Sequence, residues 1–124
     1  MTRTLKQMME EANAAVERID GARAQALVAE GGLLVDLREA EELAREGRAA
    51  GARHIPRGLL EFCADPDSPM HDPELRRDRA IVLHCASGGR AALAGKLLRD
   101  MGFTRVYNMG GLKDWLDAGG ALAE

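Results

Sequence analysis

The most informative stretch of the sequence is ten residues long: Ile81-Val82-Leu83-His84-Cys85-Ala86-Ser87-Gly88-Gly89-Arg90. The three apolar residues at their start indicate the end of a buried strand. A cysteine then opens a short loop of small residues, and an arginine closes the loop where a helical pattern begins. Because open α/β folds bind ligands at the carboxyl edge of the sheet, this order predicts that Cys85 lies at a functional edge.

The small residues after Cys85 suit a loop that holds an anion. Ala86, Ser87, Gly88 and Gly89 have little or no side chain, so the backbone can turn tightly and point several N–H groups inward. The following helix adds its positive dipole end. Such surroundings lower a thiol pKa from about 8.5 to roughly 3.5–7.5. We therefore predict a cysteine nucleophile, with the backbone N–H groups of residues 86–90 and the side chain of Arg90 binding an anionic substrate.

The loop resembles the active-site loop of the rhodanese (sulfurtransferase) family. In that family a cysteine opens a six-residue loop, often with glycine in fourth place and arginine in sixth, and Cys85, Gly88 and Arg90 stand in those places. The dual-specificity phosphatases that share the fold have a loop one residue longer, Cys-x5-Arg, whereas this chain has Cys-x4-Arg. The shorter loop makes a narrower cradle, which suits a sulfur atom better than a phosphate group.

Two further segments extend the resemblance over about residues 19 to 120. The first is Val35-Asp36-Leu37-Arg38-Glu39, followed by a helical pattern and then by Gly51-Ala52-Arg53-His54-Ile55-Pro56. The second is Tyr107-Asn108-Met109-Gly110-Gly111-Leu112-Lys113-Asp114-Trp115, a strand, a glycine pair and a helix centred on tryptophan. One departure is Arg48-Ala49-Ala50, which follows Gly47 directly, at the place where the family usually has His-Ile-Pro after the first glycine.

Short apolar strands alternate with helical patterns along the chain, and this alternation predicts an α/β fold. With the resemblance, we expect a three-layer sandwich in which helices flank a central, mainly parallel sheet. Residues 1–19 are predicted to form an amphipathic helix packed on the rhodanese-like domain of residues 20–124. The alternative is that this helix contacts a partner or a second copy, which would make the protein a homodimer.

The composition narrows the function classes. A chain of 124 residues fits one domain with one core, and a formal net charge of −3 gives no reason to expect nucleic acid binding. No apolar run approaches the roughly 20 residues of a membrane helix, and the N-terminus lacks the apolar core of a signal peptide. Two cysteines are too few for a disulfide framework. We expect a cytoplasmic protein without membrane contact.

Four other residues are candidates for the pocket or its support, and each has a plainer alternative. Asp36 and Arg38 are expected to pair with each other or to hold loop backbone, and the alternative is that they handle substrate. Arg57 is expected to be solvated, unless it lines the pocket mouth. Trp115 is either a core residue or a pocket wall.

The second cysteine and the histidines are interpreted as structural. Cys63 is expected to be a small apolar core residue; a resolving role would need it within disulfide reach of Cys85. The side chain of His84 points to the opposite strand face from Cys85, so we do not expect it to be a general base. His54 and His71 have no spacing that suggests a metal site.

The resemblance implies a sulfurtransferase that needs neither a metal nor an organic cofactor. The Cys85 thiolate would take the outer sulfur of a small anionic donor such as thiosulfate, become a persulfide, and pass the sulfur to a thiol, cyanide or protein acceptor. Arg90 would hold the departing sulfite. Two other classes stay open: a phosphatase or arsenate-handling enzyme that uses the same cysteine and arginine, and a non-catalytic rhodanese-like binding module.

Overall fold

The computed structural model describes residues 2–124 and contains a five-stranded sheet in which all neighbouring strands are parallel. The strand order is β1-β5-β4-β2-β3. The predicted sandwich with a mainly parallel sheet is therefore confirmed. The bounds are Glu17–Arg18 for β1, Leu33–Asp36 for β2, Arg53–His54 for β3, Ile81–Cys85 for β4 and Val106–Gly111 for β5.

Helices cover both faces of the sheet and bury two separate apolar layers. The layer that contains Cys85 lies against α1, α4 and α5, and the other lies against α2 and α6. Side chains alternate between the layers along each strand, so Leu83 belongs to the first and Val82 to the second. The helices are α1 Leu5–Ala15, α2 Gly21–Ala29, α3 Ala40–Glu46, α4 Leu60–Ala64 (preceded by a 3-10 turn, Arg57–Leu59), α5 Gly89–Asp100 and α6 Leu112–Asp117.

The prediction of one helix through residue 19 is wrong. Thr4 caps α1, the helix ends at Ala15, and the next residues turn into the edge strand β1 beside β5. Val16, at the turn, is 4% exposed and packs in the Cys85 layer. A strand of two residues is too short to show a hydrophobic periodicity of its own. The helical pattern of the sequence continues through it. The N-terminal segment thus supplies part of the sheet.

The surface of α1 is relevant to the alternative that this helix contacts a partner or a second copy. Only Ala12 of α1 is fully buried, and Leu5 and Met8 remain exposed. This leaves apolar surface on the helix, and a homodimer through α1 stays a prediction. None of the helices in residues 2–124 has the length and apolar character needed to cross a membrane.

Candidate active site

Cys85 is the last residue of the central strand β4 and stands one short loop before α5. The backbone N–H of Gly88 donates to its Sγ at 3.1 Å. Gly88 has φ +106°, a left-handed conformation that favours glycine, and this turn directs its N–H back towards the sulfur. Among residues 86–90, this is the one amide that donates to Sγ, whereas the sequence predicts several. The sulfur therefore lies between a turned amide and the positive end of a helix.

Cys85 is covered although the loop around it is exposed. The residue is 1% exposed and packs with the apolar layer, whereas Ala86 and Ser87 lie on the surface. These two residues form the outer wall of the loop. In this conformation the sulfur is shielded from solvent.

Arg90 is already engaged by a carboxylate. Its Nη1 and Nη2 donate to the two carboxylate oxygens of Glu42 at 2.8 and 3.0 Å. This pairing lowers the pKa of Glu42 to about 2, and it raises the pKa of Arg90, to which the nearby Cys85 side chain contributes as well. The loop arginine is thus held beside the sulfur with its charge balanced. Glu42 lies on α3, and no feature of the sequence marked it as part of the site.

Asp36 and Arg38 form a buried ion pair below the loop. Asp36 is 0% exposed and Arg38 is 1% exposed. Arg38 Nη2 donates to Asp36 Oδ2 and to the carbonyl of Gly47, both at 2.8 Å. Burial by itself raises the pKa of Asp36, but the hydrogen bonds and the charge of Arg38 outweigh it and leave the pKa lowered. The pair ties the end of β2 to the end of α3.

His84 holds the backbone of Cys85 and does not face its sulfur. Its Nδ1 lies 3.2 Å from the carbonyl oxygen of Cys85, and since a carbonyl only accepts, Nδ1 is the donor. Nε2 lies 3.6 Å from Asp36 Oδ2 and has no hydrogen-bond partner. Burial lowers the pKa of His84. The imidazole of His84 is therefore neutral and fully buried, and it supports the loop through its hydrogen bond to the Cys85 carbonyl.

Asn108 joins the loop to β5 and was not identified from the sequence. Its Nδ2 donates to the carbonyl of Gly88 at 3.0 Å, and its Oδ1 accepts the N–H of Gly110 at 2.8 Å. The side chain is buried. A polar residue inside the apolar strand Val106–Met109 is a signal that could have identified it, because buried polar groups need partners.

We expect Asn108→Ala to loosen the loop and destabilise the protein by about 1–3 kcal/mol, because the Gly110 N–H loses its side-chain acceptor and the Gly88 carbonyl keeps only the N–H of Ala92. Denaturant unfolding measures this loss. Asn13→Ala, at an exposed position on α1, is the control and should stay near the wild-type value. Equal stability of the two variants would contradict the anchoring role.

Among residues 2–124, no hydrogen bond or ion pair joins Trp115, Arg57 or Cys63 to the loop of residues 85–90. Trp115 packs in the opposite apolar layer and donates its Nε1 to the carbonyl of Ala121 at 2.9 Å. Arg57 pairs with Glu61 at 3.0 Å. Cys63 is half-buried, is not in a disulfide, and lines a different cavity of about 600 Å³. Burial, and then the charge of Asp72, raise the pKa of its thiol.

Three comparisons with known proteins bear on the site. The family model described as "Rhodanese-like domain" matches residues 4–118. A protein described as a sulfurtransferase from Allochromatium vinosum is 34% identical over 84 residues, 67% of this chain and 70% of that protein. The uncharacterized protein YqhL of Bacillus subtilis is 35% identical over 83 residues, 66% of this chain. The match spans only 59% of the length of YqhL.

A solved structure covers nearly the whole chain. It comes from a Rhodopseudomonas palustris protein of unknown function, described as a possible tyrosine phosphatase. It is 40% identical, covers 99% of this chain and 96% of its own, and superposes with a TM-score of 0.87. The relatives thus point to sulfur transfer and, in one description, to phosphate chemistry.

Proposed function

This chain belongs to the rhodanese-like domain family, and from that premise we propose that it is a sulfurtransferase which carries sulfur as a persulfide on Cys85. The hydrogen bond from the Gly88 N–H to Sγ at 3.1 Å, at the start of α5, is the observation that supports this best. A hydrogen-bond donor aimed at the sulfur stabilises the negative charge that the persulfide intermediate carries. The A. vinosum sulfurtransferase, which the chain matches over two thirds of its length, supports the same class of reaction.

The proposed reaction consists of two displacements. The Cys85 thiolate attacks the outer sulfur of thiosulfate, an Sγ–S bond forms, the S–S bond of thiosulfate breaks, and its electron pair leaves with sulfite. An acceptor thiolate, cyanide or a protein thiolate then attacks the outer persulfide sulfur and releases the Cys85 thiolate. Charge is conserved in both steps, and sulfite leaves as a stable anion, so neither a general acid nor a cofactor enters the scheme. Ping-pong kinetics follow from the covalent intermediate.

The loop must open for either displacement, because Cys85 is 1% exposed. Ala86 and Ser87 form its exposed outer wall. Neither side chain forms a hydrogen bond with a described residue, so no such bond has to break when the two residues move. We propose that this two-residue wall moves aside, while Asn108 and His84 keep the base of the loop in place.

Intact mass spectrometry tests the proposed function. We expect the purified protein to gain the mass of one sulfur atom on incubation with thiosulfate and to lose it on addition of a thiol reductant. A protein that hydrolyses an aryl phosphate and gains no sulfur would instead support the phosphatase, which the description of the R. palustris protein suggests. A protein that does neither would support a non-catalytic binding module.

We propose that Arg90 acts on the departing sulfite. The ion pair between Glu42 and Arg90 gives a test of this role. Glu42→Gln removes the negative charge beside the loop, so we expect kcat/KM for thiosulfate to rise several-fold. The cost in stability should be about 1 kcal/mol or less, since the Arg90 side chain is 36% exposed. Because the pKa of Glu42 is about 2, the effect should be constant across neutral pH.

Glu41→Gln is the matched control for this prediction. Glu41 lies next to Glu42 on α3, is exposed, and forms no ion pair with a described residue. Both variants change the net charge equally, so a similar rise in kcat/KM for both would show that net charge, and not the ion pair, limits donor capture.

A further inference from the structure

Two glycines beside the loop make room for an arginine from the N-terminal segment. A Cβ on Gly88 would lie 2.8 Å from Nη1 of Arg18, and a Cβ on Gly110 would lie 2.4 Å from its Nη2. Both distances are too short for a real side-chain carbon. The guanidinium of Arg18 therefore lies directly against the backbone of the catalytic loop and of β5.

Arg18 is brought there by β1. It stands in register with Asn108 of β5, and the parallel sheet places the end of β1 at the same edge as Cys85. Its side chain crosses β5 at Gly110 and reaches Gly88, whose N–H donates to the sulfur. The sequence pattern assigns Arg18 to the polar face of a helix, so only the formation of β1 reveals this position.

The charge of Arg18 is not compensated by an ion pair with any residue that the structure describes. It is exposed, unlike the Glu42-bound guanidinium of Arg90. The carboxylate of Asp114 is nearby, but it accepts the N–H of Gly111 at 2.9 Å and forms no ion pair with Arg18. Of the two arginines beside the loop, Arg18 is thus the one whose guanidinium remains free to bind an anion.

The sulfur lies within electrostatic range of Arg18. The contacts through Gly88 and the covalent bonds between them set an upper limit of about 9 Å on the separation of Sγ and Nη1. This is close to the Debye length, about 8 Å at physiological ionic strength, so salt screens the attraction only in part. When the outer sulfur of a donor contacts Sγ, the charged oxygens of the donor extend over part of the distance between Sγ and Nη1 of Arg18.

We propose that Arg18 recognises the anionic oxygens of the sulfur donor and so selects donors that carry a sulfonate-type group, such as thiosulfate. This inference rests on the proposed function and names its donor class. The planar guanidinium can donate two parallel hydrogen bonds to two oxygens of one group. Arg18 thereby adds a second positive charge to that of Arg90 at the part of the donor that becomes sulfite, while the loop amide of Gly88 acts on the sulfur.

Sulfur loading from thiosulfate gives the first test. We expect Arg18→Ala to lower kcat/KM about tenfold, mainly through KM, and to weaken the dependence of kcat/KM on salt. Arg18→Lys should fall between the wild type and Arg18→Ala, because the charge remains but the two parallel hydrogen bonds are lost. Arg105→Ala is the matched control, since Arg105 is exposed and precedes β5 at the opposite edge of the sheet. Equal rates for Arg18→Ala and Arg105→Ala would overturn the inference.

A second measurement is independent of sulfur transfer. Iodoacetate is anionic and iodoacetamide is neutral, so the ratio of their alkylation rates at Cys85 reports the local positive charge. Peptide mapping distinguishes Cys85 from Cys63. We expect Arg18→Ala to lower the ratio several-fold and Arg105→Ala to leave it unchanged.

The two measurements separate the two hypotheses. If the wild-type protein takes up no sulfur but the alkylation ratio falls in Arg18→Ala, the proposed function fails and the anion site remains. If the protein loads sulfur and neither readout changes in Arg18→Ala, the inference about Arg18 fails alone. A Cys85 that reacts with neither reagent overturns both, because a sulfur beyond the reach of small molecules cannot load.

Discussion

Cys85→Ser should abolish sulfur uptake, with a fall in the rate of transfer of about 10³-fold or more. Serine differs from cysteine only in having oxygen in place of sulfur. Its hydroxyl can still accept the Gly88 N–H, so the loop and the fold should persist. It does not ionise at neutral pH and cannot form a persulfide. Intact mass spectrometry after incubation with thiosulfate measures the loss.

Cys63→Ser provides the control for this experiment. Cys63 lines a separate cavity and its thiol pKa is raised, so it should not carry the sulfur. We expect this variant to gain one sulfur atom as the wild type does. Sulfur on the Cys85→Ser protein, located by peptide mapping at Cys63, would move the proposed persulfide to the other cysteine.

Asp36→Ala should cause the largest loss of stability. The substitution leaves the guanidinium of Arg38 charged and 1% exposed, with only the Gly47 carbonyl and the more distant carboxylate of Glu46, 3.6 Å away, as partners. Breaking one side of a buried ion pair costs about 3–5 kcal/mol. That is a large part of the roughly 5–15 kcal/mol that stabilises a typical domain. Denaturant unfolding, monitored by circular dichroism, measures the difference.

Asp72→Ala is the matched control for Asp36→Ala. Asp72 also pairs with an arginine, but the side chain of Arg53 is 46% exposed and can return to water. We expect a loss of about 1 kcal/mol or less. If the two variants lose equal stability, burial of the Asp36–Arg38 pair is not what makes it important.

The same pair makes stability depend on pH. The pKa of Asp36 is lowered in the folded protein, so its contribution is present above the unfolded pKa of about 3.9 and is lost as the pH falls through the folded value. The advantage of the wild type over Asp36→Ala should therefore shrink below about pH 4. A difference that stays constant from neutral pH to strongly acidic pH would contradict this.

The local sequence was enough to predict the centre of the site. The run from Ile81 to Leu83 specifies a buried strand, and small residues followed by a helical pattern specify the turn after Cys85. These preferences act between residues that are close in the chain, so they can be recognised without knowing the rest of the fold. The parallel sandwich was predictable for the same reason, since strands and helices alternate in order.

The partners of that centre depend on contacts between distant parts of the chain. Glu42 reaches Arg90 across 48 residues, and Asn108 reaches Gly88 across 20. Neither pairing follows from local pattern, because it depends on which strands become neighbours. Sequence alone likewise left open which apolar layer would hold Trp115.

The class of fold and the short loop after Cys85 could thus be predicted from the sequence, because hydrophobic periodicity and turn preferences are short-range. Which charges surround the sulfur depends instead on the tertiary structure. Strand β1 is two residues long and is stabilised by its pairing with β5, so the pattern of α1 concealed it. That pairing places Arg18 at the edge of the Cys85 loop and not on a helix face, and we propose that its charge acts on a sulfur donor there.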